Sequence, residues 1–273
     1  MTPSHGPNDL TLIPGDDRGI NYGDGVFETL RVADGAVLHW PLHRRRLQWG
    51  LERLKIALTD WSTLESDLAQ AAGEHEAAVL KLIVTRGSGP RGYRPPQMTH
   101  PRWFLQVGPM PDYDPAWAEQ GVLLRLCETR LAHQPLLAGI KHLNRLEQVL
   151  ARSEWQDEFQ EGLMLDQEGR VICGTMSNIF MVLGNQLLTP QLDHCGIAGI
   201  TRQRLMAAAG LLGFACEERP LSLADLADAE GLFLTNTVFG LWPVRQFQDQ
   251  QFVISDGVRR LQRLLQRKPA KRR

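Results

Sequence analysis

Apolar and polar positions alternate over VFETLRV (residues 26–32), the period-two pattern of a half-buried strand. The turn Ala33-Asp34-Gly35 follows and AVLHW returns, which predicts a hairpin. The pattern then changes period. Leu42, Leu47, Leu51 and Leu54 recur at helical spacing in PLHRRRLQWGLERLKI, with Pro41 at a first helical position. A second helix is predicted over roughly 63–75, then a β-rich run AAVLKLIVTR and a strand PRWFLQVGPMP. Farther on, GLMLD and RVICG flank the turn Gln167-Glu168-Gly169, and SNIFMVL and QLLTP flank Gly184-Asn185, as in a meander. GIAGITRQRLMAAAGLLGF reads as a loop and a helix, SLADLADAE as a short helix, GLFLTNT and GLWPVRQF as strands, and GVRRLQRLLQR as a C-terminal helix. No internal repeat of fixed period is visible.

The stretch AGIKHLNRLEQVLAR, residues 138–152, joins two kinds of pattern. Before it runs the strand-like GVLLRLCETRLAHQPLLAGI; after Lys141, the residues Leu143, Leu146, Val149 and Leu150 have helical spacing. Lys141 is therefore expected at a strand or loop end just ahead of an amphipathic helix. A Schiff-base lysine needs such a rigid, partly desolvated place; an ordinary surface lysine also fits, although the helix dipole does not favour a cation there.

Other segments carry two readings each. GDG (23–25) is a flexible loop. The run His43-Arg44-Arg45-Arg46 is a solvated helix face, or one arginine turns inward to hold an anion. Gly87, Gly89 and Gly92 match GxGxxG, but Pro90, Pro95 and Pro96 prevent the helix that would receive a pyrophosphate. A turn carrying Arg91, Tyr93 and Arg94, able to grip a carboxylate, fits better. Gly199, Ile200 and Thr201 open a helix whose N–H groups favour an anion, or Thr201 merely caps it. The proline-containing PMPDYDPAWAEQ, residues 109–120, reads as a linker between a small N-terminal α/β domain (1–108) and a larger C-terminal domain (121–273) carrying Lys141.

Composition narrows the class. With 273 residues, 43% hydrophobic, 22% charged and a net charge of −1, the chain is an ordinary globular protein without a basic field for nucleic acid. Its basic tail RKPAKRR (267–273) is expected to be a solvated terminus. The four cysteines, Cys127, Cys173, Cys195 and Cys216, form no CxxC, and the histidines show no HExxH, so no metal site is expected. No GxSxG nucleophile elbow occurs. The start MTPSHGPNDLTLIPGDD lacks the features of a signal peptide, and no run reaches membrane-spanning length. The cytoplasm is the expected compartment.

AGIKHLNRLEQVLAR, GDGVFETLR, LKLIVTRGSGPRGY and SNIF together resemble the 4-amino-4-deoxychorismate lyases, a branch of the fold-type IV pyridoxal-phosphate enzymes that include the branched-chain and D-amino-acid aminotransferases. The resemblance spans roughly residues 19–247. It implies an α/β (α+β) class and a two-domain fold-type IV, aminotransferase class IV-like architecture. It also implies pyridoxal 5'-phosphate between the domains, and a homodimer in which a partner loop closes each site. Lys141 would form the Schiff base. Arg46 would bind the phosphate with the helix start Ile200-Thr201 and the strand end Asn236-Thr237. Asn178 of SNIF and Cys173 would belong to the cofactor site. Arg91, then Arg130, would read the substrate's two carboxylates.

Cys173 departs from the pattern, because that family carries a glutamate five residues before the asparagine of SNIF, paired with the protonated pyridine nitrogen. A neutral thiol supplies no comparable counter-charge unless ionised, and nothing in the sequence aims Glu161 or Glu168 at the ring. The implied reaction is β-elimination of pyruvate from aminodeoxychorismate, a carbon–oxygen lyase step of folate biosynthesis giving 4-aminobenzoate, with Lys141 as general base. An aminotransferase on the same fold and a non-catalytic relative are the alternatives.

Overall fold

The structure is a computed structural model, described for residues 13–266. The tail 267–273 and most of the N-terminal stretch judged not to be a signal peptide lie outside those residues. Contacts divide the chain into two compact units, Met1–Pro111 with Ile140–Asn144, and Asp112–Gly139 with Arg145–Arg273.

The first unit contains α1 (Arg18–Tyr22), β1 (Gly25–Ala33), β2 (Ala36–Val37), α2 (Trp40–Arg53), α3 (Trp61–Gly73), β3 (Ala77–Thr85) and β4 (Arg102–Gly108). The strands form one antiparallel sheet in the order β2-β1-β3-β4. The expected hairpin is present, and its tight turn takes Asp34 and Gly35 to positive φ. Pro41 lies in the first turn of α2. Val26, Leu30 and Val32 of β1 pack with Leu47 and Leu51 of α2, Leu64 and Leu68 of α3, and Leu80 and Leu82 of β3 in one core. No helix follows the glycine-rich run after β3.

Ile140–Asn144 clusters with this first unit, where the sequence placed Lys141 in the larger one. The cause is main-chain pairing: the Phe27 N–H donates to the Lys141 carbonyl at 2.8 Å, and Leu143 N–H to Gly25 at 3.1 Å. Gly23 ends α1 with φ 65°, and a Cβ there would stand 2.0 Å from Asn144 Oδ1, so only glycine lets the two segments approach this closely.

The second unit contains α4 (Pro115–Gln120), β5 (Val122–Leu126), α5 (Leu146–Arg152), β6 (Glu161–Leu165), β7 (Val171–Gly174), β8 (Asn178–Leu183), β9 (Gln186–Pro190), α6 (Ile200–Ala208), β10 (Ala215–Arg219), α7 (Leu223–Ala227), β11 (Gly231–Asn236), β12 (Gly240–Phe247), β13 (Gln250–Gln251) and α8 (Asp256–Gln266). Its nine-stranded sheet runs β10-β9-β8-β11-β12-β5-β6-β7, with β13 on β12. Pairs β9/β10, β5/β12 and β5/β6 are parallel. The sheet curls: Val171 N–H donates to Leu221 at 2.7 Å, joining β7 to the chain just after β10. One core cluster holds Leu163, Ile179, Leu232 and Trp242; another holds Phe180, Leu205, Phe233 and Leu261.

Sequence and structure differ in two places here. The stretch read as a linker contains α4, opened by Asp114, whose carboxylate accepts the Ala116 N–H at 2.8 Å. The helix expected directly after Lys141 begins only at Leu146, because residues 140–144 are held extended against β1. Leu146, Val149 and Leu150 are left 75%, 57% and 61% exposed. Among the described residues no helix is long and apolar enough to cross a membrane.

Candidate active site

In the first unit the site grows from β1. Its alternation places Val26, Glu28, Leu30 and Val32 on the core side, so a carboxylate occupies an apolar stripe and is fully buried. Such a charge must be paired. Helix α2 supplies the partners from its inward face, where His43, Arg46, Leu47 and Gly50 are buried. Arg46 grips Glu28 in a fork, Nε to Oε1 at 2.8 Å and Nη2 to Oε2 at 2.5 Å. His43 Nδ1 lies 2.7 Å from Oε2. Burial opposes ionisation of Glu28, but the Arg46 charge and the hydrogen bonds from His43 and Arg46 outweigh it and hold its carboxyl at about 2. Burial lowers the His43 pKa, against the pull of Glu28. The imidazole is therefore neutral and donates from Nδ1.

The charge of Lys141 acts on His43 as well, in the direction that lowers its pKa. The Lys141 Nζ is 4.3 Å from the centroid of the Phe27 ring, a cation–π distance. Strand β1 thus fixes both the lysine, through the main chain and ring of Phe27, and the arginine, through Glu28. Arg91 is exposed in the loop after β3. That loop is tied down by Arg18, which donates to the carbonyls of Gly92 (2.9 Å) and Tyr93 (3.1 Å), and by Tyr22, whose hydroxyl accepts the Gly92 N–H at 2.9 Å.

In the second unit, α6 begins at Ile200-Thr201, both buried, behind Gly199. Gly199 makes no side-chain cap, and Thr201 is the second helical residue, so the simple capping role for Thr201 is not adopted. The first N–H groups of the helix carry its positive end. Asn178 Nδ2 donates to the Ile197 carbonyl at 2.8 Å, and a Cβ on Gly199 would lie 2.0 Å from Asn178 Oδ1. Asn178 thus secures the entry to α6 from beneath. Thr235, paired with Asn178 across β8/β11, is buried, and its Oγ1 has no hydrogen-bond partner among the described residues. An uncapped helix start beside an unsatisfied buried hydroxyl fits an anion that accepts hydrogen bonds, such as a phosphate. The Asn236 side chain is occupied in shaping its turn: Oδ1 accepts the N–H groups of Val238 and Phe239, both at 2.9 Å, and Nδ2 donates to the Met176 carbonyl at 3.3 Å. That turn carries Thr237.

Cys173 lies on β7 opposite Met164 and is buried. Burial, then the neighbouring Cys195 and Glu161, push its thiol far up, so it is protonated and neutral. Glu168 is solvent-facing, near His133 and Arg170. Glu161 is wholly buried with both oxygens occupied. Arg130 is exposed in the segment after β5. The sequence reading gave Phe27 and Glu28 no role, placed His43 only in the basic run of α2, and took Thr235 only as part of a strand end. Glu28 carried a signal, a charge at an apolar phase of VFETLRV; Phe27 carried none.

Residues 25–247 match the amino-transferase class IV family, and the chain belongs to it. It is 36% identical to the aminodeoxychorismate lyase of Vibrio harveyi over 94% of this chain and 95% of that protein. It is 26% identical to the D-alanine aminotransferase of Bacillus licheniformis over 86% and 83%. Among solved structures, the 4-amino-4-deoxychorismate lyase of Pseudomonas aeruginosa superposes with a TM-score of 0.89 at 46% identity, covering 92% of this chain and 93% of that one. The family is pyridoxal-phosphate dependent, and the mixed α/β architecture with its curled sheet is that of fold-type IV enzymes.

Proposed function

We propose that this chain is a pyridoxal-phosphate-dependent lyase that eliminates pyruvate from 4-amino-4-deoxychorismate to leave 4-aminobenzoate. The observation that carries the reading is Lys141, paired through its main chain to β1 with its Nζ over the Phe27 ring, on the strand whose Glu28 holds Arg46 in a fork. The likeness to two lyases along nearly the whole chain favours this reaction over transamination. Lys141 is the residue proposed to carry the cofactor and Arg46 to pair with a phosphate; the start of α6 with Thr235 and Thr237 is proposed as a phosphate cradle. When bound, pyridoxal phosphate supplies the covalent link to the substrate amine and an electron sink.

The protein's own part is then positional and acid–base. Glu28 fixes the guanidinium of Arg46 so that its charge is pre-organised for the phosphate. The Lys141 amine takes the proton from C4 of the substrate. The C3–O bond breaks, the enolpyruvyl group departs and gains a proton to become pyruvate, and the ring becomes aromatic. Arg91 and Arg130 are the cations proposed for the substrate carboxylates. The test is pyruvate release from 4-amino-4-deoxychorismate by the purified protein with pyridoxal phosphate; cofactor bound without pyruvate would turn the assignment to an aminotransferase.

Cys173 sets how strong the sink is. A neutral buried thiol gives the pyridine nitrogen no counter-charge. In Cys173→Glu a carboxylate stands there, and cofactor affinity should rise about tenfold, equivalent to ~1.4 kcal/mol, with altered turnover. Unchanged affinity and turnover, by cofactor titration and pyruvate assay, would remove Cys173 from the ring.

The functional unit is a homodimer in this reading. The stripe Leu146, Val149 and Leu150 on α5, with Leu136 71% exposed nearby in sequence, is the apolar face a second copy would cover. Leu146→Glu with Leu150→Glu is expected to give monomers in sedimentation; an unaltered dimer would place the interface elsewhere.

A further inference from the structure

Glu161 opens β6 and its carboxylate is wholly buried. It carries no role in the reaction above. Its Oε1 accepts the N–H groups of Gly162 and Thr175, both at 3.0 Å, and the Thr175 hydroxyl. Its Oε2 accepts the Met176 N–H at 3.2 Å and the Ser177 hydroxyl at 2.7 Å. Four of these five donors come from the three-residue turn between β7 and β8. Gly174 just ahead of that turn has no room for a side chain, since a Cβ would lie 2.2 Å from Ser177 Oγ and 2.8 Å from Glu161 Oε2. One buried acid therefore sets the path of the whole turn.

The turn leads to both elements that the phosphate reading uses. Met176 is shared: its N–H donates to Glu161 and its carbonyl accepts from Asn236 Nδ2 at 3.3 Å, so a single residue links the carboxylate to the Asn236–Thr237 turn. Ser177 precedes Asn178, which holds the Ile197 carbonyl and abuts Gly199 at the mouth of α6.

We infer that Glu161 is a positioning residue that places the α6 N-terminus and the Asn236–Thr237 turn in register for a phosphate group, acting through Met176 and Asn178. This rests on the cofactor reading above. Glutamine keeps the shape, but its amide is a donor where the turn also presents donors, so part of the clamp opens. Aspartate is one methylene too short to reach both Thr175 and Ser177.

The test separates phosphate from ring. The full-length chain, stripped of cofactor, is titrated with pyridoxal 5'-phosphate and with pyridoxal, which lacks the phosphate, by tryptophan quenching and cofactor absorbance. In Glu161→Gln, pyridoxal 5'-phosphate should bind about 10–100-fold more weakly, the range for groups that orient a binding shell, while pyridoxal affinity stays at the wild-type value. Thr175→Val and Ser177→Ala remove one hydroxyl each and should show the same selective loss, several-fold in size; they keep the test alive should Glu161→Gln not fold. Equal losses for the two ligands, or no loss for either, would overturn the inference. A wild-type chain that binds neither ligand would overturn the cofactor reading itself, a result distinct from a variant that matches a binding-competent wild type.

Discussion

Replacing Lys141 by alanine is expected to reduce pyruvate release by about a thousandfold or more, since under the proposed function the variant loses both the general base and the amine that would anchor the cofactor. The fold should not suffer. Lys141 is half-buried, and the link between its segment and β1 runs through the main chain, from Phe27 N–H to the Lys141 carbonyl. Thermal unfolding within about 0.5 kcal/mol of wild type would show this. Its absorbance with pyridoxal phosphate should lack the signature of the lysine-linked cofactor. Retained turnover in a protein free of wild-type contamination would remove Lys141 from its role.

The second large effect falls on stability and cofactor affinity together. Glu28→Ala strands the buried Arg46 guanidinium, and breaking a buried pair from one side costs about 3–5 kcal/mol. Glu28→Gln keeps the volume and costs less, but turns an ionic fork into a neutral one. Both should weaken pyridoxal phosphate binding, because Arg46 no longer has a fixed orientation. The pH dependence has a definite sign. The Glu28 carboxyl is held at about 2 in the folded chain against an ordinary 4.5. Its contribution is thus fully present above 4.5 and is lost as pH falls toward 2. His43 adds an earlier limb. Its folded pKa is depressed from 6.5, so the unfolded chain binds the proton first and stability falls as pH drops below 6.5. Acid unfolding of wild type and Glu28→Gln tests this: the variant should lose the limb between 4.5 and 2. An unchanged acid limb would mean that Glu28 contributes nothing to the pH dependence.

Between these two predictions lies a division of labour along one strand. Phe27 faces the lysine and Glu28, one residue on, faces the arginine, because successive side chains of β1 point to opposite sides. Seven residues of alternating pattern therefore determine the surroundings of two groups more than ninety positions apart in the sequence. In the second unit the same economy recurs: β8 and β11 pair Asn178 with Thr235, and these strand ends lead to both branches of the proposed phosphate site.

Much of this was legible from the chain alone. Strand and helix periods located nearly all the larger elements, since burial on one face imposes periods of two and 3.6 wherever an element packs. Motif resemblance pointed to Lys141, Arg46 and the start of α6 as candidates, because such positions call for chemistry that few residue types supply; their roles belong to the proposed function. Glu28 was also within reach, as a charge at an apolar phase, and was overlooked because the strand was read only for its hydrophobic residues. Tertiary structure decided the rest. The helix after Lys141 starts at Leu146 because residues 140–144 pair with a strand over a hundred residues earlier, and local periodicity cannot register a competing main-chain partner so distant. Thr201 is not a cap because Gly199, packed against Asn178, takes that position. The convergence of three turn residues on Glu161 exists only once β6 and β7 are side by side. Sequence determines which groups are available; which donor meets which acceptor is set by strand register, and register depends on contacts summed over the whole sheet.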